Sequence, residues 1–248
     1  MGMKVLYKVL SWLVAIILPV VIVLSVVRFV INPWYLQFEY HTPGFPADPY
    51  GFTLQDRLKY GRLAVEYLVN SAGISFLGDL RFPEGQQAPP PTCLEMTDCT
   101  RLYNDRELQH MLDVKNVVQE ALKVLLIGLI ALVLLAIWAW LGKWMPLYLK
   151  GLQRGGLLTL ALMGLIILFV LVAFNYLFVI FHEIFFKAGT WTFLFSDTLI
   201  RLFPERFWQD TFLMVGGLTA ALALLFYFGS RWILRRKIDP SLAESPEN

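Results

Sequence analysis

Charged side chains are scarce in this sequence: Asp, Glu, Lys and Arg make up 16% of its 248 residues, against roughly 25% in an average soluble domain. Four stretches contain none of them, namely 9–27, 124–141, 157–181 and 211–230. Each is close to the length of about 20 residues that a helix needs to cross a bilayer core of about 30 Å. This scarcity excludes a soluble enzyme, a nucleic-acid-binding protein and a disordered chain.

The charge-free stretches predict an all-α polytopic membrane protein that forms a single membrane domain over 1–248. We expect transmembrane helices at about 5–30, 118–141, 157–181 and 209–230, with a cap at 31–116 and a loop at 182–208 on one side. No Ala-x-Ala cleavage site follows the first span, and its apolar run is longer than the about 7–15 residues of a signal peptide. We therefore interpret the first span as a retained signal-anchor, with a cleaved signal peptide as the alternative.

Acidic residues are almost absent from one side of these spans. Nine basic residues flank the spans there: Lys4, Lys8, Lys143, Lys150, Arg154, Arg231, Arg235, Arg236 and Lys237, and the first acid to join them is Asp239. Short loops rich in Lys and Arg stay in the cytoplasm. Sixteen of the nineteen Asp and Glu residues lie from Glu39 to Asp210. This asymmetry predicts that both termini are cytoplasmic and that the cap and the 182–208 loop are extracytoplasmic.

The sequence has only two cysteines, Cys93 and Cys99, and both lie in the predicted cap. An oxidising exterior permits a disulfide between them, and two free thiols are the alternative. A metal site built on this pair would need two more ligands, and none lies nearby in the sequence. We therefore assign the two cysteines a structural role.

Two pairs of residues in the cap have the spacing of a helix capping box. Thr53 with Asp56 predicts an amphipathic helix over about 53–70. Asn104 with Glu107 predicts a long helix that continues into the second span without a break.

Other parts of the cap favour irregular or minor β structure. The segment 31–49 is rich in proline and aromatic residues, which is typical of irregular structure at a membrane interface. We expect one short strand within 75–82. Further along, Gly189 is expected to end the third span, and Ser196 with Asp197 is typical of the N-terminal cap of a short helix over about 197–203.

Histidine is rare, and the three histidines, His41, His110 and His182, are all predicted on the acid-rich side. His110 and Asp113 are three residues apart and share a helix face, and His182 ends the third span. Neutral histidine is a base near pH 7, and a carboxylate can fix its tautomer. These residues are therefore our candidate base, acid and orienting group. Ordinary interfacial histidines are one alternative, and a metal site of His110, Asp113 and His182 is another, although its spacing is a weak signal.

A straight second span would keep His110 and His182 apart. If about 20 residues cross the bilayer core, His110 stands about 12 residues, or ~18 Å, further out on a straight helix, whereas His182 lies near the interface. We therefore expect the second span to tilt strongly, kink or unwind between His110 and Val118. The alternative is that the two histidines do separate jobs.

Several motifs resemble one known family. The residues Asn-Asp-Arg-Glu-Leu-Gln-His-Met-Leu-Asp-Val-Lys at 104–115 are similar to its segment leading into the second span, and Phe-His-Glu-Ile-Phe-Phe at 181–186 to its end of the third. Trp191 followed by Ser-Asp-Thr-Leu-Ile-Arg-Leu-Phe-Pro-Glu-Arg-Phe-Trp at 196–208 resembles its approach to the fourth span, and Tyr-Gly-Phe at 50–52 also fits. The family is the bacterial lipoprotein intramolecular transacylase of low-GC Gram-positive bacteria.

The resemblance is sharpest over 104–210 and does not include the proline tract with its two cysteines. It implies an enzyme that moves the sn-2 acyl chain of a diacylglyceryl lipoprotein to the α-amine of its N-terminal cysteine, giving an N-acylated lyso-form in the bacterial cell membrane. No cofactor, metal or external acyl donor is expected. His110 and His182 become the acid–base pair and Asp113 the orienting residue, with acyl-imidazole formation on one histidine as the alternative. The expected substrate-binding residues are Asn175, Tyr176, Phe178, Phe185, Trp191 and Asp197.

Two rival functions stand beside this one. A non-enzymatic lipid- or lipoprotein-binding or assembly protein at the extracytoplasmic surface would need the aromatic cap but not the histidines. The second is a lipid-modifying acyltransferase with an external donor, which would transfer label from a labelled phospholipid. The expected partners are a diacylglyceryl lipoprotein and membrane lipids, without nucleic acid, and the sequence indicates no oligomeric state.

Overall fold

A computed structural model describes residues 2–238, and these residues are mostly helical. The helices in chain order are α1 Gly2–Val30, α2 Pro33–Glu39, α3 Leu54–Val69, α4 Ser75–Gly78, α5 Pro90–Cys93, α6 Asp105–Leu141, α7 Met145–Phe185, α8 Thr198–Leu202 and α9 Glu205–Ile238. Across residues 2–238 the only β pairing is one antiparallel bridge between Arg81 and Arg101. The predicted all-α class is therefore confirmed, while the C-terminal tail from Asp239 lies outside the described residues.

Within residues 2–238, four helices are long and apolar enough to cross a membrane, namely α1, α6, α7 and α9. Their number confirms the four predicted spans of a membrane protein. Two of them extend well beyond the expected spans, since α6 has 37 residues and α7 has 41. The extensions matter for function because His110 lies in the first part of α6 and His182 in the last turn of α7.

The described chain forms two compact units, each treated separately below. The first unit contains the chain up to Val27, Leu122–Leu168 and the chain from Met214 onward. The second unit contains Arg28–Ala121 and Phe169–Leu213, and it holds both His110 and His182.

In the first unit, small residues allow helices to pack backbone against backbone. A Cβ atom added to Gly151 of α7 would stand 2.5 Å from the carbonyl oxygen of Ser11 in α1. The Ser11 hydroxyl also donates a hydrogen bond to the carbonyl oxygen of Leu147 at 2.7 Å. Such close approaches hold helices together in a membrane, where lipid tails remove most of the hydrophobic driving force between them.

The second unit has an aromatic and aliphatic core. Its most deeply buried side chains come from α3, α4, α8 and the chain just before α6, and they include Tyr60, Tyr67, Leu77, Leu102, Tyr103 and Leu202. Helix α3 begins at the predicted capping box, in which Thr53 and Asp56 each bond the other's backbone N–H. Burial of these rings and leucines stabilises this unit through the hydrophobic effect.

A buried ion pair fastens α8 to the chain that precedes α3. Arg201 Nη2 lies 2.9 Å from Asp48 Oδ2, and its guanidinium lies 3.5 Å from the centre of the Phe52 ring. Arg57 donates to the carbonyl oxygen of Arg201 at 3.0 Å. Because buried charges are costly unless paired, this arrangement fixes α8 at one position.

Two predictions for the cap are corrected by the structure. The segment 31–49 is not irregular throughout, because α2 begins there with Asn32 accepting a hydrogen bond from the Trp34 N–H and Pro33 in the first turn. Both features favour a helix start. The segment 75–82 is not a strand, because α4 occupies its first half and a ladder needs more pairing than the one bridge seen there.

Candidate active site

The side chains of His110 and His182 face each other in the second unit. Their ring centroids are 6.1 Å apart and their planes differ by 17°. Each histidine is only 8% exposed. The structure therefore brings together the two histidines that the sequence singled out, and it holds them away from bulk water.

The backbone irregularity lies in α7 rather than in α6. Helix α6 begins after Asn104, where the Asn104 side chain accepts from the Glu107 N–H at 2.9 Å and the Glu107 carboxylate accepts from the Asn104 N–H at 2.8 Å. This capping box is as predicted, and α6 continues without a break through His110. In α7, by contrast, Ala173 has φ −147° and ψ 47°, which are not helical angles. The expected kink or unwinding between His110 and Val118 is therefore wrong, and the break lies nine residues before His182.

The orienting group of His182 is a backbone carbonyl. His182 Nδ1 lies 2.7 Å from the carbonyl oxygen of Phe178, one turn earlier in α7. A carbonyl oxygen only accepts hydrogen bonds, so Nδ1 carries a proton, and in the neutral ring Nε2 therefore presents its lone pair. The ring is thus held as a base with Nε2 as the basic atom.

Asp113 was expected to orient one of the rings, and the structure corrects this. Asp113 Oδ1 accepts a hydrogen bond from Gln109 Nε2 at 3.0 Å, on the exposed side of α6. His110 Nδ1 is buried and has no hydrogen-bond partner within the described part of the chain. The spacing of three residues placed Asp113 beside His110 along the helix but did not aim the two side chains at each other.

Aromatic side chains surround both rings. The ring centroids of Phe178 and Trp191 lie 4.1 Å and 4.9 Å from that of His182. Those of Phe186 and Phe193 lie 4.9 Å and 5.2 Å from that of His110. Water is largely excluded from such a site, which strengthens any electrostatic interaction within it. Phe186 and Phe193 were not among the predicted site residues.

The indole N–H of Trp191 is a hydrogen-bond donor at this site. Its Nε1 is buried and has no hydrogen-bond partner within residues 2–238. A buried N–H without a partner costs about 1–3 kcal/mol. An acceptor supplied by a substrate would remove that cost.

The remaining predicted substrate-binding residues differ in their exposure and in their contacts. Phe185 is half-exposed beside Phe181, with ring centroids 4.9 Å apart. Asn175 and Tyr176 are exposed, and neither makes a ring or hydrogen-bond contact with the histidines in the described chain. Asp197 is fully buried and its carboxylate bonds only protein groups, so it offers no surface to a substrate.

The described residues do not provide a set of ligands for a metal ion. Across residues 2–238 there is no group of three or more His, Cys, Asp or Glu side chains placed to hold a metal ion. The cysteines of the cap are joined as the Cys93–Cys99 disulfide.

Comparison with known proteins identifies the family. Residues 12–208 match the family described as "Lipoprotein intramolecular transacylase Lit". The chain belongs to the Lit family. The fold agrees with this, because the solved structure of Lit from Bacillus cereus superposes with a TM-score of 0.75, covering 94% of this chain and 98% of that one at 18% identity.

Two further relatives extend the Lit comparison. A variant of the Bacillus cereus Lit with a histidine replaced by alanine has a TM-score of 0.70 at 18% identity, covering 95% of this chain and 96% of that one. An uncharacterized protein from Aquifex aeolicus is 29% identical over 89% of this chain and 93% of its own length. The Lit-family match includes both histidines and the second unit as far as Trp208.

Proposed function

We propose that this Lit-family protein transfers the sn-2 acyl chain of a diacylglyceryl lipoprotein to the α-amine of that lipoprotein's N-terminal cysteine. The observation that carries the proposal is the buried pair of His110 and His182, 6.1 Å apart between ring centroids. Family membership supports the reaction class, and the aromatic surroundings of the pair suit a lipid substrate.

The first step needs a base, because an α-amine is mostly protonated at neutral pH. We assign this role to His182, whose Nε2 is left free by the bond from Nδ1 to the Phe178 carbonyl. The freed amine attacks the sn-2 ester carbonyl, and a new C–N bond forms. Amine and ester belong to one substrate molecule, so the main task of the protein is to fold the lipid head into a near-attack geometry.

The second requirement is a donor for the negative oxygen of the tetrahedral intermediate. Trp191 Nε1 is suited to this role, because it is a buried N–H without a partner in the described chain, on a ring 4.9 Å from that of His182. A fixed donor in a water-poor site stabilises charge that develops in the transition state.

The intermediate collapses when the bond between the carbonyl carbon and the glycerol oxygen breaks. We assign His110 as the acid that protonates the leaving oxygen. His110 receives this proton from His182, which takes it from the nitrogen of the intermediate. A protonated α-amine loses two protons as it becomes an amide: the first leaves through His182 to water before the attack, and the second is the proton that the glycerol oxygen gains. No cofactor or external acyl donor enters the balance.

The acyl chains need an apolar surface close to the histidines. Phe181 contacts His182 edge-on, with ring centroids 5.6 Å apart, and is itself half-exposed. Phe185 lies one turn further on and is also half-exposed. We propose that these rings line the path of the migrating chain. The distribution of basic residues supports an orientation with this site on the extracytoplasmic side and both termini in the cytoplasm, and we propose that orientation.

Mass spectrometry of the substrate N-terminus tests the reaction. Purified protein in lipid vesicles is given a diacylglyceryl lipopeptide, and the product should have an unchanged mass but an acyl group on the amine and one fewer on glycerol. Persistence of the diacylglyceryl form alone would refute the transacylase and favour a binding or assembly protein. Labelled phospholipid in the same vesicles distinguishes an external donor, since the intramolecular route transfers no label.

A further inference from the structure

One buried cluster in the second unit takes no part in the proposed chemistry. It is centred on Asp197, whose side chain is fully buried. Asp197 Oδ1 lies 2.9 Å from the Thr92 hydroxyl and 3.1 Å from Asn104 Nδ2. Asp197 Oδ2 lies 2.9 Å from Arg106 Nη2 and accepts from the Leu194 N–H at 2.9 Å. One carboxylate therefore joins three separate segments of the chain.

The first of these segments belongs to the disulfide loop. Thr92 immediately precedes Cys93, which is bonded to Cys99. Within the loop, Glu95 Oε2 accepts from the same Arg106 Nη2 that bonds Asp197, at 3.0 Å. The loop thus reaches Asp197 twice, directly through Thr92 and through the guanidinium of Arg106.

The other two segments carry the histidine site. Asn104 caps α6, the helix that bears His110. The Leu194 N–H belongs to the stretch that includes Trp191 and Phe193, the rings of which lie 4.9 Å from His182 and 5.2 Å from His110. Arg106 also lies over Phe193, 5.7 Å from its ring centre. A displacement of Asp197 would therefore move ring contacts of both histidines.

We propose that Asp197 is a positioning residue for the histidine pair, and that the Cys93–Cys99 loop holds it through Thr92 and Arg106. This role in catalysis rests on the proposed transacylase function. The disulfide restricts the conformations of a short loop. A buried carboxylate needs its hydrogen-bond donors in place, so it transmits the position of that loop to the site.

Removal of the Thr92 hydroxyl tests this contact, together with the contact of the same oxygen to Ser196 Oγ at 2.8 Å. Thr92→Val keeps the shape of the side chain but removes its donor, and Thr92→Ser restores the donor. We expect kcat of Thr92→Val to fall by about tenfold, as for loss of one hydrogen bond to a charged group. We expect KM to change by less than about twofold, because the substrate is not touched. Thr92→Ser should recover most of kcat, and Leu94→Ala, in the same loop with an 87% exposed side chain, should retain it.

Reduction of the disulfide tests the loop without any substitution. A trialkylphosphine and water convert the Cys93–Cys99 bond to two thiols, and the phosphine becomes its oxide. We expect the same selective loss of kcat in the wild-type protein. The double variant Cys93→Ser with Cys99→Ser should start at the lowered rate and show no further response to the phosphine.

Histidine NMR provides a readout that does not depend on activity. The chain has three histidines, and His41 is exposed, with its ring Nδ1 2.6 Å from the carbonyl oxygen of Gln37. With labelled histidine, Thr92→Val and the reduced protein should shift the signals of His110 and His182 and leave that of His41 unchanged. Unchanged His110 and His182 signals, or an unchanged kcat in Thr92→Val, would overturn the proposal. If the wild type forms no N-acylated product, the transacylase proposal fails, and the NMR signals alone still decide whether the loop positions the pair.

Discussion

The imidazole rings of His110 and His182 lie 6.1 Å apart between centroids and within 17° of parallel. One ring is held by α6 and the other by α7. Because a proton taken by one ring must return through the other in the proposed reaction, the two act as a unit. Groups that act as a unit show non-additive effects when they are removed.

Alanine at either histidine should therefore abolish most activity. We expect His110→Ala and His182→Ala each to lower the rate of lyso-lipopeptide formation by about 10²–10⁴-fold. The double variant should be no slower than the slower single one, and the rates are measured by mass spectrometry on equal amounts of folded protein. Glu183→Gln changes an exposed neighbour of His182 and serves as the control. Full activity in either single variant would remove that histidine from the mechanism.

Asp113 should be dispensable. Its carboxylate bonds Gln109 on the exposed side of α6 and makes no hydrogen bond to either histidine in the described chain. Asp113→Asn should thus keep kcat and KM within about twofold of the wild type. A loss as large as that of His110→Ala would instead show that Asp113 turns towards His110 during the reaction.

Trp191 should affect the chemical step rather than binding. Trp191→Phe keeps an aromatic ring beside His182 but removes the N–H, so the oxyanion loses its proposed donor. We expect kcat to fall by about 10²–10³-fold, as for removal of one oxyanion donor, with KM nearly unchanged. Trp208→Phe alters a nearby indole that contacts Phe178, at 6.2 Å between centroids, and provides a matched comparison. A rise in KM without a change in kcat would assign Trp191 to substrate binding alone.

The stability of the cap should depend on the protonation of Glu39. This carboxyl is 1% exposed and accepts from the Tyr35 hydroxyl at 3.3 Å. Burial and the neighbouring Asp210 raise the pKa of Glu39 from 4.5 to about 7. The folded protein then keeps this proton up to about pH 7, whereas the unfolded chain releases it near pH 4.5, so the contribution to stability is lost as the pH rises between these values.

Glu39→Gln mimics the protonated carboxyl and removes this dependence. The melting temperature of the variant relative to that of the wild type should increase as the pH is raised from 5 to 8. We expect to follow both by tryptophan fluorescence in detergent. Glu84→Gln, at an exposed position, should show no such change relative to the wild type. A constant difference between Glu39→Gln and the wild type over this range would show that Glu39 is ionised throughout.

Local signals in the sequence predict the positions of most of the long helices in this protein. Charge-free runs report lipid contact directly, and capping boxes such as Thr53 with Asp56 need only four residues to form. The helix at Pro33 departs from the prediction because its proline and aromatic content is typical of irregular structure. Its Asn32 cap and the proline in its first turn were available as signals for a helix start.

The site was predictable only in part, because its parts meet through tertiary contacts. His110 and His182 stand out as rare residues at the ends of apolar runs. Their orienting group, the Phe178 carbonyl, has no side-chain signature at all. The partners of Asp197 are equally hidden, since Thr92 and Arg106 lie far from it in the sequence and read as ordinary polar residues.

The bond from His182 to the Phe178 carbonyl has a consequence for how this site tolerates mutation. Replacement of the Phe178 side chain leaves its main-chain oxygen in place. A sequence that retains His182 and keeps this turn of α7 helical therefore holds the ring in the same tautomer. A saturation scan of α7 should thus find His182 intolerant, and no acidic side chain should be required to orient its ring. The helix backbone, and not a second side chain, therefore sets the orientation of the His182 ring.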